Sequence, residues 1–479
     1  VLQELAIRCA PVFAVPHSVS CSPGKVPFVA VTFTNGYDQF RIEATEGSEM
    51  PTIPLIRKSY RSPLLRTVTC LNCWHTFPPE DVMWVSVHPS QSGESQLPAS
   101  AIGKREQKRF IPERFDVEGR AIDSGGSPCT QIACKRCRLT LPRHTLELPP
   151  LIFSLLGAAG SGKSVFLASM MFTLRQRCGS LGLRLQDADL TLNQSLLEDE
   201  RRLFLASDAD SYRGFDEAVK KTSEIDDPRW RASIIEGNEA RFVPPYTFLI
   251  APTSEHPRAD EEESLTRLLC LYDNAGEHFR PGADASSTPM TRHLAKSKGL
   301  MFTFDPTRDR RVCRQLGDAM SGSVGDERQD VVLLEAANRI REHSGIAARS
   351  RIPQPLVVIL TKYDAWYQLL ADAYKTEAFS KYPGKDVRAL TIDSVEHVSQ
   401  LCRDFLSKTC PEIVATADSI SDNVYFVPIA AVGWDIRTNQ RGVPQFRGAD
   451  VEPHWVEVPL MILLNKTSPR LVPSLKRPK

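Results

Sequence analysis

The stretch Leu151-Ile152-Phe153-Ser154-Leu155-Leu156-Gly157-Ala158-Ala159-Gly160-Ser161-Gly162-Lys163-Ser164 decides how the rest of the chain is read. It opens with an apolar run of strand length, fits G-x-x-x-x-G-K-[ST] from Gly157 onward, and leads into helical periodicity from Ser164 to Leu174. A random chain of this size produces that match roughly once in fifty. The backbone N–H groups of such a loop turn inward around phosphate oxygens, an approach that side chains on the glycines would block. Gly157, Ala158, Ala159, Gly160, Ser161 and Gly162 are therefore expected to cradle phosphates. Lys163 is expected to reach the β- and γ-phosphates and Ser164 to ligate Mg²⁺, with the positive end of the helix behind them. The plainer alternative is a glycine-rich turn that only joins strand to helix.

Further strand-like runs follow at Tyr246 to Ala251, Arg267 to Tyr272, Gly299 to Phe304, Leu356 to Leu360 and Val424 to Val427, separated by helical patterning. Strands alternating with helices predict an α/β fold with a doubly wound, mostly parallel sheet, in which ligands sit beyond the carboxyl ends of the strands. The polar stretch from Asp305 to Arg351 reads as a mostly helical insertion. Each motif below falls just after one of these runs.

Asp273 closes the run Leu268-Leu269-Cys270-Leu271-Tyr272 and opens Asp273-Asn274-Ala275-Gly276-Glu277, a D-x-x-G form. After a strand and downstream of a phosphate loop, Asp273 is placed to hold Mg²⁺ through water and the Gly276 amide to meet a γ-phosphate. Release of that phosphate would free the segment. An acidic turn is the bland alternative. Glu277 stands where many switch proteins carry a water-orienting glutamine. A carboxylate there faces a negative transition state, so slow turnover or help from a partner is expected. Thr222, in Lys220-Lys221-Thr222, is the candidate switch threonine.

Thr361-Lys362-Tyr363-Asp364 follows the Leu356 to Leu360 run as a variant of N-K-x-D. A carboxylate at Asp364 accepts from guanine N1–H and the 2-amino group together, whereas adenine leaves it unpaired at a cost of about 2–5 kcal/mol. Lys362 would lay its aliphatic stem on the purine face. Near Ala430 and Ala431, after Phe426-Val427-Pro428-Ile429, a backbone amide is expected to meet the guanine carbonyl. These motifs together predict a GTPase binding GTP or GDP with Mg²⁺.

Cys70-Leu71-Asn72-Cys73 and Cys134-Lys135-Arg136-Cys137 are two C-x-x-C knuckles, and together they complete a tetrahedral Zn²⁺ site of Cys₄ type. The segment between them is longer than the usual ribbon spacing, which requires a looped-out insertion. A redox role is the rival for C-x-x-C, and His75, His144 and Cys129 lie nearby as replacement ligands or, in the plainer reading, as bystanders. A closed Cys₄ shell makes the zinc structural. Arg136, Arg138, Lys104, Arg105, Lys108 and Arg109 make this module locally basic, which admits nucleic acid as a ligand beside the plainer reading of solvated surface.

The combination Cys70-x-x-Cys73-Trp74-His75-x-Phe77-Pro78, Ala133-Cys134-x-x-Cys137, Gly157 to Ser164, Asp273-x-x-Gly276-Glu277, Phe304-Asp305-Pro306-Thr307 and Thr361-Lys362-x-Asp364 resembles the zinc-ribbon-bearing double-GTPase family of bacterial conflict systems, which is TRAFAC-like. The resemblance runs from about Leu64 to Leu464. It implies a GTPase encoded beside protein partners, a second GTPase or an activating protein, that acts in bacterial defence or its control.

Bulk properties fit this reading. The 479 residues divide in expectation into an N-terminal segment (1–63), a zinc-ribbon domain with an inserted loop (64–150), a P-loop domain (151–465) and a basic tail (466–479) expected to be a solvated end. Lys+Arg 59 against Asp+Glu 58 argues against a dedicated nucleic-acid or membrane-surface binder. The apolar runs fall short of a bilayer span, so no transmembrane helix is expected. Glu4 and Arg8 interrupt any secretory pattern, and Val1 in place of Met leads us to expect the natural start upstream. Of the twelve cysteines, Cys178, Cys270 and Cys402 sit in apolar surroundings, which suits reduced core thiols and a cytoplasmic setting. A non-hydrolysing scaffold and an ATPase are the competing classes.

Overall fold

The computed structural model describes residues 29–31, 42–44, 64–88, 93, 107–205, 211–215, 219, 230–274, 279, 289–317, 328–440 and 443–476. Thr222, Gly276 and Glu277, together with Lys104 and Arg105, lie outside the described residues. The chain forms two compact units, Val1–Ser62 and Pro63–Lys479. In the first, Val29–Val31 pairs antiparallel with Ile42–Ala44.

The second unit is built on one sheet. Its strands are β1 (Pro150–Gly157), β2 (Leu183–Asp187), β3 (Tyr246–Pro252), β4 (Arg267–Asp273), β5 (Gly299–Phe304), β6 (Leu356–Leu360) and β7 (Val424–Pro428). The seven strands stand in the order β2-β3-β4-β1-β5-β6-β7. Four pairings, β4–β1, β1–β5, β5–β6 and β6–β7, are parallel, and the two at the other edge, β2–β3 and β3–β4, are antiparallel. The sheet is thus a large mixed one. Its parallel strands are buried on both faces, which is why β5 and β6 read as unbroken apolar runs. The edge strand β2, Leu-Arg-Leu-Gln-Asp, lies outside the runs expected from the sequence because half its residues face outward.

The longer helices among the described residues are α1 (Lys163–Arg177), α2 (Leu190–Phe204), α3 (Arg310–Leu316), α4 (Gln329–Ser344), α5 (Ile392–Thr409), α6 (Pro411–Ile420) and α7 (Val458–Thr467). Local sequence sets their starts. Asp189 caps α2 by accepting from Thr191 N and Leu192 N, and α6 opens with Pro411, whose missing N–H is not needed there. Helices α3 and α4 occupy the stretch between β5 and β6. Gly299 is where α7 meets β5, since a Cβ there would come within 2.8 Å of Leu463.

Strand β4 separates two cores by its alternation. Leu269 and Leu271 join the main core, whereas Leu268, Cys270 and Tyr272 pack with Cys70, Leu71, Trp74, Phe77 and Ile132 of the cysteine-bearing segment. The four-cysteine segment therefore covers one face of β4. The hairpin Arg231–Ile235 and Asn238–Phe242 flanks it, with Phe242 set edge-on to Trp74 at 5.9 Å.

The basic stretch near the end departs from the solvated end expected. Leu471 and Val472 are buried, and Ser474–Leu475 pairs parallel with Arg388–Thr391. Among the described residues no helix is long and apolar enough to cross a membrane.

Candidate nucleotide site and four-cysteine centre

The register of the parallel strands gathers the sequence motifs along one sheet edge. Asp273 pairs with Leu155, Gly157 with Thr303, Phe304 with Leu360, and Leu360 with Pro428. The segments that follow β1, β4, β5, β6 and β7 therefore leave the sheet on the same side.

The loop Gly157–Ser164 has the backbone its glycines permit. Gly157 (φ 149°), Gly160 (φ 72°) and Gly162 (φ 90°) occupy conformations that disfavour side chains. At Gly157 space forbids one as well, since a Cβ would stand 2.1 Å from Thr303 Oγ1. Ser161 Oγ and Thr303 Oγ1 share a hydrogen bond of 2.6 Å, and Thr303 Oγ1 also donates to Leu156 O at 3.2 Å. Lys163 is buried at the base of the loop, and its Nζ donates to Gly157 O and Ala158 O, both at 2.8 Å. Ser164 lies in the first turn of α1.

Asp273 ends β4 next to the loop's own strand. Asn274 is tied back to β1, its backbone N and its Nδ2 donating to Leu155 O at 3.2 and 3.0 Å.

The candidate base motif, Thr361 to Asp364, is joined directly to the candidate phosphate loop. Thr361 Oγ1 donates to Ser161 O at 2.9 Å, while Thr361 N donates to Phe304 O at 2.9 Å and Trp366 Nε1 to Thr361 O at 3.0 Å. A hydroxyl thus makes a tie for which this motif more often uses an amide. Lys362 adopts φ 55°, and its Nζ sits 2.6 Å from Oδ2 of the fully buried Asp305. Asp364 is half-buried, and burial pushes its carboxyl up to about 7 against the pull of its own backbone N–H and of Lys362. On the next strand Ile429 N donates to Leu360 O at 2.9 Å and Tyr363 N to Ile429 O at 3.0 Å. Ala430 is buried, Ala431 half-buried, and Ala430 exchanges backbone hydrogen bonds of 3.2 and 2.9 Å with His454.

Reading the sequence alone missed three contributors. Thr303 stitches β5 to the loop, Asp305 holds Lys362, and Arg308 Nη1 donates to Ala159 O at 2.6 Å. The only signal was the Phe304-Asp305-Pro306-Thr307 run, which does not disclose which way its side chains turn.

The four-cysteine centre is a matched pair of knuckles. Cys70 N donates to His75 O and Trp74 N to Cys70 O in one, and Cys134 N donates to Leu139 O and Arg138 N to Cys134 O in the other. Each knuckle ends on a left-handed residue, Trp74 (φ 57°) and Arg138 (φ 58°). The four Sγ atoms all lie within 4.8 Å of one another, and the Cys70–Cys137 and Cys73–Cys134 contacts, which cross between knuckles, are both 3.7 Å. A Zn²⁺ tetrahedron with ~2.3 Å bonds has edges of about 3.8 Å, so this donor set can hold zinc. Asn72 N and Arg136 N donate to Cys70 Sγ and Cys134 Sγ at 3.3 Å, contacts that would support thiolates on a bound cation. Mutual hydrogen bonding splits the thiols, the bond from Cys137 holding Cys134 down while the bond to Cys134 pushes Cys137 up. His75, His144 and Cys129 do not belong to the cluster.

No family model matches the chain. A Mycolicibacterium smegmatis protein named "Putative ESX-1 scaffolding and assembly protein SaeC" is 26% identical over 246 residues, which are 50% of this chain and 52% of that protein. The chain thus spans about half the length of this curated relative. Similar solved structures include the GTP-bound GTPase-like domain of S. cerevisiae Ski7 (11% identity, 59% of this chain and 43% of that one, TM-score 0.26). Sup35 complexed with GMPPNP (12%, 59% and 38%, TM-score 0.20) and Sup35 complexed with GDP (11%, 62% and 41%, TM-score 0.20) are also similar.

Proposed function

We propose that this chain binds GTP and hydrolyses it as a Mg²⁺-dependent regulatory switch, with a doubly wound P-loop architecture and a structural zinc. The observation that carries the reading is the hydrogen bond from Thr361 Oγ1 to Ser161 O, which fixes a candidate base reader against a candidate phosphate loop across 200 residues of chain. In this reading Lys163 and the amides of Gly157 to Ser164 hold the triphosphate. Asp364 reads guanine, with Lys362 under the ring and an amide at Ala430 or Ala431 on the guanine carbonyl. Ser164 and Asp273 suit Mg²⁺ because a hydroxyl and a carboxylate are the hard oxygen donors it prefers, and the ion would offset charge on the β- and γ-phosphate oxygens. Gly276, Glu277 and Thr222 would respond to the γ-phosphate. Cys70, Cys73, Cys134 and Cys137 would hold one zinc that stabilises the face of β4.

Protein partners are implied from two directions. The resemblance to conflict-system GTPases implies a second GTPase or an activating protein, and the relative's name speaks of scaffolding and assembly. Buried free cysteines throughout the described residues suit a cytoplasmic setting. The same name favours a second reading, a scaffold that keeps its nucleotide unhydrolysed. Single-turnover hydrolysis of radiolabelled GTP with Lys163→Ala as control separates the two. A switch releases phosphate in a Lys163-dependent manner, and a scaffold retains intact GTP.

A further inference from the structure

The run Phe304-Asp305-Pro306-Thr307-Arg308 ends at the phosphate loop and has no assigned chemistry. Resting on the GTPase reading above, we propose that Arg308 is a built-in catalytic residue that places its guanidinium on the triphosphate during hydrolysis.

The turn that delivers Arg308 is held from several sides. Asp305 is fully buried, and its Oδ1 accepts from Thr307 N at 3.0 Å and from Thr307 Oγ1 at 2.6 Å. The amide of Gln329, at the start of α4, clamps the backbone of Asp305, with Asp305 N donating to Gln329 Oε1 at 2.9 Å and Gln329 Nε2 to Asp305 O at 3.0 Å. From this fixed turn Arg308 reaches back to Ala159 O in the loop.

Two cations therefore converge on three successive carbonyls, Lys163 on Gly157 and Ala158, and Arg308 on Ala159. Among the described residues no carboxylate pairs with Arg308, whereas its neighbour Arg311 is engaged by Asp309 at 2.8 Å and Glu412 at 2.7 Å. A guanidinium carries five donors, and the Ala159 bond uses one. The remaining donors of Arg308, held beside the loop, suit an anion, and a triphosphate supplies one.

In the reaction, a water oxygen forms a bond to the γ-phosphorus as the bond from that phosphorus to the β–γ bridging oxygen breaks. The electron pair leaves with GDP, the water proton passes to the released phosphate, and the products are GDP and inorganic phosphate. Negative charge grows on the bridging oxygen, where a guanidinium is most effective. Glu277, a carboxylate, cannot supply that positive charge. Arg308 would supply it within the chain.

The test uses the full chain with Arg308→Ala and Arg308→Lys. It measures GTP and GDP affinity, single-turnover hydrolysis, and binding of aluminium fluoride with GDP as a mimic of the transferring phosphoryl group. We expect Arg308→Ala to keep GTP and GDP affinity, to lose hydrolysis by about 10²-fold or more, and to lose the aluminium fluoride complex, with Arg308→Lys between it and the wild type. Hydrolysis unchanged in Arg308→Ala overturns the proposal, as does loss of GTP affinity in that variant, which would make Arg308 a brace of the loop. A wild type that binds GTP without hydrolysing it also overturns the proposal and leaves the nucleotide site standing. A wild type that binds no GTP overturns the GTPase reading itself.

Discussion

Trp74 donates its indole N–H to the hydroxyl of Tyr272 at 3.1 Å, which fastens the first cysteine knuckle to the residue immediately before Asp273. The same hydroxyl donates to Leu71 O inside that knuckle. On its other side Tyr272 stacks with His293 at 4.3 Å, and Trp74 also meets the His293 ring at 5.8 Å. The candidate metal aspartate thus extends from a residue anchored to the cysteine centre.

Trp74→Phe should keep the metal and weaken the anchor. Metal analysis is expected to find about one zinc per chain in the wild type and in this variant, and none in Cys73→Ser. Losing the donor to a buried hydroxyl costs about 1 kcal/mol, which, if passed on to Asp273, raises the Kd for Mg²⁺-GTP about fivefold. Loss of zinc in Trp74→Phe, or no change in nucleotide affinity, would count against the coupling.

On the GTPase reading, Asp364 should make guanine binding sensitive to pH. Its carboxyl is raised to about 7, chiefly by burial, so in the free site it is mostly protonated at pH 6 and mostly ionised at pH 8. Only the carboxylate accepts from both guanine donors. GTP affinity should therefore weaken as pH falls through 7, by up to about tenfold between pH 8 and pH 6. Asp364→Asn should abolish that slope and shift preference from guanine toward xanthine nucleotides. Calorimetric titration at several pH values checks both, and a wild-type profile matching that of Asp364→Asn would remove Asp364 from the base site.

The Thr361 hydroxyl should matter more to nucleotide affinity than its size suggests. Thr361→Val keeps the shape and leaves Ser161 O without its donor, a loss of about 1 kcal/mol, whereas Thr361→Ser retains the bond. GTP binding by equilibrium fluorescence should fall several-fold in the first and little in the second. Equal losses would point to packing in place of the hydrogen bond.

Gly157 and Gly160 should differ in what an added methyl does. At Gly157 a Cβ meets Thr303 Oγ1 at 2.1 Å and Thr303 O at 2.8 Å, so Gly157→Ala should destabilise the fold by more than about 2 kcal/mol. Gly160 (φ 72°) has no atom within 4 Å of that position, so Gly160→Ala should cost only the left-handed penalty of about 1–2 kcal/mol. Urea unfolding compares them, and similar midpoints would contradict the close approach of β5.

The legible parts of the sequence were those set by local patterning. Strands β5 and β6 coincide with their apolar runs because both faces are buried. The cysteine knuckles declared themselves by spacing, and they do come together. Strand β2 stayed hidden because an edge strand of five residues with alternating exposure resembles an amphipathic turn. The coupling of Trp74 to Tyr272, 198 residues apart, and the turn of Arg308 back to Ala159, 149 residues apart, depend on how separate segments stack, which no local pattern encodes. The last residues looked like a charged tail because Leu471 and Val472 are too few to signal a buried segment.

The central claim is that one sheet edge grips a triphosphate and reads guanine, and nucleotide competition tests it most directly. Labelled GTP is bound to the purified full chain with Mg²⁺, then challenged with about hundredfold excess of unlabelled GTP or ATP. The account predicts that GTP displaces the label and ATP leaves it bound. Equal displacement by ATP, or no binding of the label, would contradict it.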